Sequence, residues 1–251
     1  MSTKTTTRIA PITYGTRYLA IIGDIVASRR FSPKCRRLVQ EKFLALINSL
    51  NHEFASALVA KFTVTSGDEF EGLLYSSSAP DVLPAIIWQV DHAFVDLAQY
   101  NNDDPIEVRT GIGLGTIDTA IAGNPNVIDG PAFHAAREAI RQAAKKKSLG
   151  GVFAGFSEPY NTILNGIARL LHHQRARWSP QQRRLALLLH QGIRKTDAAK
   201  TLGLTKQAVT SYAQSAGWQA YAEGETAWIK AIELSVSSLS KEAPRAAAAG
   251  V

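Results

Sequence analysis

Two aspartates are the first residues in this sequence whose placement could do chemistry. Asp24 comes near the end of the apolar run Tyr18–Val26 (YLAIIGDIV), and Asp68 lies in Ser66-Gly67-Asp68-Glu69, between two β-rich runs. If these runs are neighbouring strands, both carboxylates project from one edge of a sheet. Opposed carboxylates repel there unless a cation lies between them. Mg²⁺ carried by a nucleoside triphosphate meets that need, because it takes one or two carboxylates together with phosphate oxygens. Glu69 is a third candidate oxygen donor. The backbone amides of Ile25–Ser28, with Val26 between them, are candidates to cradle phosphate, and Arg29 and Arg30 supply positive charge. The expected cofactor is Mg and the expected ligand a nucleotide of the ATP or GTP class.

A second stretch with chemical potential is Lys195–Trp218 (KTDAAKTLGLTKQAVTSYAQSAGW). Thr196–Leu202 predicts a short helix, Gly203 permits a turn, and the Thr205 hydroxyl can cap a second helix. Ala199, Gly203 and Val209 supply the small residue, the flexible turn and the branched apolar knob that two tightly crossed helices require. Pro180–His190 predicts a covering helix that brings Leu185, Leu188 and Leu189. Lys206, Gln207, Thr210, Ser211 and Gln214 are left on the outer side, where they can meet phosphates or base edges in a major groove. Arg194 and Lys195, with Arg183, Arg184 and Lys200, suit phosphate contacts that position without reading sequence.

The elements that must position the acids follow from periodicity. Tyr18–Val26 reads as a buried central strand, and Pro33–Leu50 as a helix with Pro33 in its first turn. Val59–Thr65 and Phe70–Tyr75 form a hairpin around Ser66–Glu69. Ala85–Ala98 predicts a helix stopped by Asn101–Pro105. Glu107–Gly115 alternates like a strand whose glycines invite close backbone approach. Gly130–Lys147 predicts a helix whose terminal lysines favour its negative end, and Gly151–Phe156 a last strand. After Pro159 strands cease and helical patterns run to about Leu234. The expected organisation is a leader at 1–17, an α/β unit at 18–156, a helical unit at 159–234 and a frayed tail at 235–251.

Composition narrows the field. Over 251 residues, 45% are hydrophobic and 20% charged, which excludes wholesale disorder. The single cysteine, Cys35, excludes a disulfide framework and a cysteine-rich zinc site, and suits a reducing cytoplasm. No apolar run is long enough to span a membrane, so no membrane partner is expected. Charge is unevenly divided: the first 150 residues are nearly balanced, whereas between Pro159 and Ala222 nine basic residues face one acid, Asp197. Such an excess points to an anionic partner for the helical half.

Four segments carry a family resemblance: GDIVASRRF (23–31), FTVTSGDEFEGLL (62–74), VRTGIGLGTI (108–117) and IDGPAFHAAREAI (128–140). They resemble the SatD family of bacterial proteins, and also the class III nucleotidyl cyclases and GGDEF diguanylate cyclases. The resemblance implies a ferredoxin-like palm domain at 18–156, and thus an α+β chain. It implies metal ligation by Asp24, by the Ile25 carbonyl and by Asp68. Ala135-Ala136-Arg137 is similar to the end of the motif that carries a transition-state arginine, which implies catalytic roles for Asp68 and Arg137. Phe133 stands where those enzymes carry asparagine, with His134 beside it, and Ser66 where diguanylate cyclases carry their first glycine. Residues 195–218 resemble the helix-turn-helix of bacterial transcription regulators, which implies an all-α DNA-binding domain.

Together these readings predict a homodimeric, nucleotide-responsive regulator of duplex DNA. The alternative expectation is a metal-dependent nucleotidyl cyclase or nucleotide hydrolase.

Overall fold

The computed structural model describes residues 16–121, 125–146 and 149–248. Most of the leader expected at 1–17 lies outside these, as do the last three residues of the expected tail. The described residues form a mixed α+β chain with one five-stranded sheet and eight α-helices. They divide into two compact units. One comprises the described residues up to Asn165 and from Ile229 onward, and the other comprises Gly166–Trp228.

In the first unit the chain runs β1 (Tyr18–Ile25), α1 (Pro33–Glu53), β2 (Leu58–Ser66), β3 (Glu69–Tyr75), α2 (Ala79–His92), β4 (Val108–Gly115), α3 (Pro131–Lys146) and β5 (Val152–Ala154), followed by the start of α4 (Glu158–Ala176). The sheet order is β2-β3-β1-β4-β5, antiparallel except for the β4–β5 pair. Strand β1 has a neighbour on both sides and is covered on both faces. That is why its sequence is an unbroken apolar run: Leu19 to Ile22 are at most 1% exposed. Each such leucine or isoleucine contributes roughly 1.5–3 kcal/mol through burial.

Alternation assigns the two faces. Ala20, Ile22, Leu73, Phe133 and Ala136 share one core cluster, beneath α3. Residues of opposite parity join Phe43, Phe62, Phe70 and Phe94, which pack ring to ring on the other face. Gly111 and Gly113 let α3 lie directly on β4. A Cβ on either would stand 2.3 Å from the Ala136 carbonyl oxygen or 2.1 Å from that of Ala132.

Two elements differ from expectation. Helix α2 starts at Ala79 and ends at His92, with Val95–Tyr100 a separate 3₁₀ segment, whereas periodicity placed one helix over 85–98. Pro80 falls in the first turn, where its missing N–H costs little, and Pro84 lies inside the helix. The tail expected to fray from Ser235 is instead the continuation of α8 (Trp218–Ala248). Ser235 is buried, its hydroxyl donates to the Ile232 carbonyl, and the alanines that follow are the strongest helix formers.

In the second unit, α5 (Pro180–His190), α6 (Lys195–Leu202) and α7 (Lys206–Ser215) enclose Leu185, Ala198, Ala199, Val209 and Ala213. Ser179 and Gln182 form a reciprocal capping box at the start of α5. Gly203 ends α6 at φ +65°, and the Leu204 amide then donates to the Ala199 carbonyl at 2.9 Å. Trp178, Trp218 and Tyr221 pack as one aromatic group, and Trp228 is buried.

Candidate functional site

The end of β1 and the β2–β3 turn are tied together by the backbone. The Ile25 amide donates to the Asp68 carbonyl at 3.0 Å, so the two aspartates are brought to one end of the sheet. Register then sets the neighbours of Asp24: Glu69 lies opposite it on β3 and Arg109 opposite it on β4. All three share the α3 face, because paired residues in a sheet point the same way. The Arg109 guanidinium donates to Asp24 Oδ2 at 3.2 Å, with both side chains about three-quarters buried. Asp68 faces elsewhere, and its Oδ2 accepts a hydrogen bond from the Ser28 hydroxyl.

Electrostatics at this edge are unfavourable to a lone anion. Burial pushes the Asp24 carboxyl above its ordinary range; Arg109 opposes that shift, while Asp68 and Glu69 reinforce it. The donors are all hard oxygen atoms, the type that Mg²⁺ takes. Asp24 and Asp68 thus offer oxygen donors of the type a divalent cation takes, but their carboxylates are held in different directions, by Arg109 and by Ser28. The trio does not close. The Glu69 carboxylate accepts from Thr65 Oγ1 at 3.0 Å, and among the described residues no three acidic, histidine or cysteine side chains converge as a metal cluster. Glu69 lies opposite Asp24 in register, with one carboxylate oxygen engaged by Thr65.

Beside Asp68 opens a pocket of about 260 Å³, lined among others by Ile25, Ser28, Arg29, Arg36, Gln40 and Asp68. That volume is somewhat below the ~300–1,000 Å³ usual for a whole organic ligand, and suits the phosphate end of one. The expected amide cradle is corrected in part. The Ile25 and Val26 amides are engaged by the Asp68 and Glu107 carbonyls at 3.0 and 2.9 Å, so neither faces a phosphate. Ser28 and Arg29 remain on the wall, whereas Val26 and Arg30 lie outside it. Ala27 bends the chain between them in the left-handed region (φ +55°), which is strained for a residue with a Cβ.

Arg137 projects from α3 toward the same face. One of its N–H groups donates to Glu71 Oε1 at 2.9 Å, and Glu71 is only 3% exposed. That hydrogen bond raises the Arg137 pKa, with further support from Asp129 and Glu69. His134 Nε2 lies 3.1 Å from Asp129 Oδ1. Cys35 is buried and its thiol is pushed up by burial, which leaves it inert as a nucleophile.

Three participants escaped the sequence reading. Arg109 and Glu71 each sit in a strand, where only register reveals their partners; the one available signal is a charge interrupting an apolar alternation. Arg36 joins the pocket from the first turn of α1 and donates to the Arg29 carbonyl at 3.2 Å. It belongs to a run of surface-type charges and carries no signal of its own.

In the helical unit, Arg194, Lys195, Lys206, Gln207, Thr210, Ser211 and Gln214 are all exposed. Thr205 caps α7 by accepting from the Ala208 amide at 3.1 Å. Arg194 and Lys200 pair with Asp197 at 2.9 and 3.5 Å, while Thr210 Oγ1 donates back to the Lys206 carbonyl.

The family model of SatD matches residues 18–230, which span both units. The chain belongs to the SatD family. No curated protein matches the sequence of this SatD-family chain. Among solved structures it is similar to a bacterial light-regulated adenylyl cyclase, at 11% identity over 55% of this chain and 75% of that chain, with a TM-score of 0.40. It is also similar to the adenylyl cyclase CyaB from P. aeruginosa, at 14% identity over 49% and 70% with a TM-score of 0.38. The guanylyl cyclase Cya2 matches at 12% identity over 50% and 70%, with a TM-score of 0.38. No helix among the described residues of the SatD-family chain is long and apolar enough to cross a membrane.

Proposed function

We propose that this chain binds a nucleoside triphosphate with Mg²⁺ at the Asp24–Asp68 end of its sheet and acts on it as a nucleotidyl cyclase or nucleotide hydrolase. One observation carries the reading. The Ile25–Asp68 backbone bond supports it, because it brings Asp24 and Asp68, residues distant in sequence, to one end of the sheet, where Asp68 lines a pocket with Ser28, Arg29 and Arg36. Asp24 and Asp68 would hold the cation. Once bound, Mg²⁺ supplies neutralisation of phosphate charge and a template for the reacting oxygens. Arg29 and Arg36 bind the phosphate tail by charge-assisted hydrogen bonds, and Ser28 orients the Asp68 carboxylate. Arg137, anchored on Glu71, holds positive charge at the α3 face of the same end.

Calorimetric titration of the full chain with ATP and with GTP, each with and without Mg²⁺, tests this. Mg²⁺-dependent binding of at least one nucleotide is expected, and Asp24→Asn and Asp68→Asn should each remove it. Wild-type protein that binds neither nucleotide, or variants that bind like wild type, overturn the reading.

A second reading is favoured by the exposed edge of α7. Lys206, Gln207, Thr210, Ser211 and Gln214 are free of the core that Val209 and Ala213 enter. In that reading the α6–α7 pair is a helix-turn-helix and the chain a homodimeric regulator whose nucleotide site adjusts the spacing of two DNA-binding modules. Fluorescence anisotropy with duplex DNA, with and without Mg-nucleotide, tests it. Affinity that neither falls with salt nor responds to nucleotide removes both parts.

A further inference from the structure

Asp24 occupies an unusual position even among acids at a sheet edge. On its own face it has an acid on one side, Glu69, and a base on the other, Arg109, both fixed by strand register and neither chosen by side-chain flexibility. The Arg109 guanidinium holds one carboxylate oxygen at 3.2 Å, and the two side chains are 23% and 27% exposed. Asp68, the other half of the carboxylate pair, is held by a neutral donor, the Ser28 hydroxyl. The two prospective ligands are therefore unequal: Asp68 is held by a hydroxyl that can reorient without moving charge, whereas Asp24 is neutralised by a full positive charge.

We propose that Arg109 is a resident counter-ion that competes with a divalent cation for Asp24 and so sets the cation affinity of this site. The proposal rests on the reading of Asp24 and Asp68 as the cation-holding pair. The geometry around Asp24 leads to it. The Asp24 side chain is only 27% exposed and has Glu69 opposite it on β3, so an unpartnered carboxylate is disfavoured there. Arg109 is the ion-pair partner that opposes this, at 3.2 Å. A cation that reaches Asp24 performs the same service for the carboxylate and meets a guanidinium already at one of its oxygens. Two positive charges on one carboxylate repel at short range and little water separates them, so entry of one favours departure of the other. The guanidinium keeps its five donors when it leaves. It remains tethered to β4 beside the incoming phosphate, and planar guanidinium groups suit phosphate oxygens.

This arrangement has a consequence that a purely structural ion pair lacks. The cation affinity should rise when Arg109 loses its charge, even though a native contact has been removed. A substitution that keeps the charge but not the fork should change affinity less.

The test is direct measurement of Mn²⁺ binding to the full chain by electron paramagnetic resonance, without nucleotide and without an activity readout. Wild type is compared with Arg109→Gln, Arg109→Lys, Arg30→Gln and Asp24→Asn. Arg109→Gln is expected to bind Mn²⁺ at least roughly tenfold more tightly than wild type, which corresponds to the usual scale of one charge beside a partly buried carboxylate. Arg109→Lys should fall between the two. Arg30→Gln removes an exposed charge that forms no ion pair with Asp24, and should stay within about twofold of wild type. Asp24→Asn should lose binding.

Arg109→Gln that binds no more tightly than wild type, while wild type binds and Asp24→Asn does not, overturns the competition and leaves the cation site standing. An equal gain in Arg30→Gln overturns it too, since the effect would then be the general field. If neither wild type nor Arg109→Gln binds Mn²⁺ at millimolar concentration, the cation reading fails, and the competition with it. Circular dichroism on each variant confirms the fold, and Arg109→Lys keeps the test open should Arg109→Gln be unstable.

Discussion

The acidic end of the sheet and the α6–α7 pair are built on opposite principles. At the sheet edge, the groups that matter come from five elements: Asp24 on β1, Asp68 in the hairpin turn, Glu71 on β3, Arg109 on β4 and Arg137 on α3. They meet only because strand register and one backbone hydrogen bond bring them together. In the α6–α7 pair, caps and turn lie within one short stretch from the Arg194 N-cap to Ala213, and the core adds Leu185 from the adjoining α5. Long-range assembly concentrates charge in a partly buried place, so errors there are costly. Local assembly spreads its stabilisation over small, separable contributions.

That contrast can be broken by measurement. The largest effect is expected for Arg137→Ala, which leaves the Glu71 carboxylate buried without its partner. Arg137 is half exposed and partly screened, so chemical denaturation should show a loss of up to about 3 kcal/mol. The double variant Glu71→Gln with Arg137→Gln should recover part of it, and no recovery would mean that Arg137 stabilises by packing alone. Next comes Gly113→Ala. Its Cβ would stand 2.1 Å from a backbone carbonyl of α3, which cannot move as a side-chain tip can, so a loss of roughly 2–3 kcal/mol is expected.

Gly203→Ala is the matched change in the helical pair. It meets no atom within 4 Å and suffers only its left-handed backbone, a cost of about 1 kcal/mol. If it destabilises as much as Gly113→Ala, the distinction between the two regions is wrong. Thr205→Ala, which removes the α7 cap, should likewise lose about 1 kcal/mol.

The smallest effect sharpens the electrostatic side. The folded-state pKa of Asp24 is raised, so the folded chain prefers the protonated carboxyl. Its ionised form then costs stability, a cost absent below the unfolded pKa and complete once pH has risen through the folded value. Asp24→Asn should therefore be more stable than wild type at pH 7 and show no such gain near pH 3. Thermal melts at the two pH values check the sign.

Legibility follows the same division. The buried strand β1, the hairpin around Gly67 and the three helices α5 to α7 were readable because each is specified by local signals: an apolar run, a turn tetrapeptide, caps and a glycine. Asp24 and Asp68 were readable as a pair only through the guess that their strands are neighbours. Sequence could not show that the Glu69 carboxylate accepts a hydrogen bond from Thr65. The Ile25 and Val26 amides were misjudged as phosphate donors because the carbonyls that occupy them lie on other elements. The α8 extension was missed because the alanine run and Pro244 read as a frayed tail, whereas alanine is a strong helix former.

By itself, the sequence determined which segments become strands and helices, where charge accumulates and which two acids stand at strand ends. These depend on side-chain periodicity and on backbone preferences within a few residues. Only the tertiary structure decided that Asp24 lies between Glu69 and Arg109, that Glu71 is buried against Arg137 and that Arg36 joins the pocket. Those outcomes depend on strand order and register, and a slip of one residue would have turned each side chain to the opposite face.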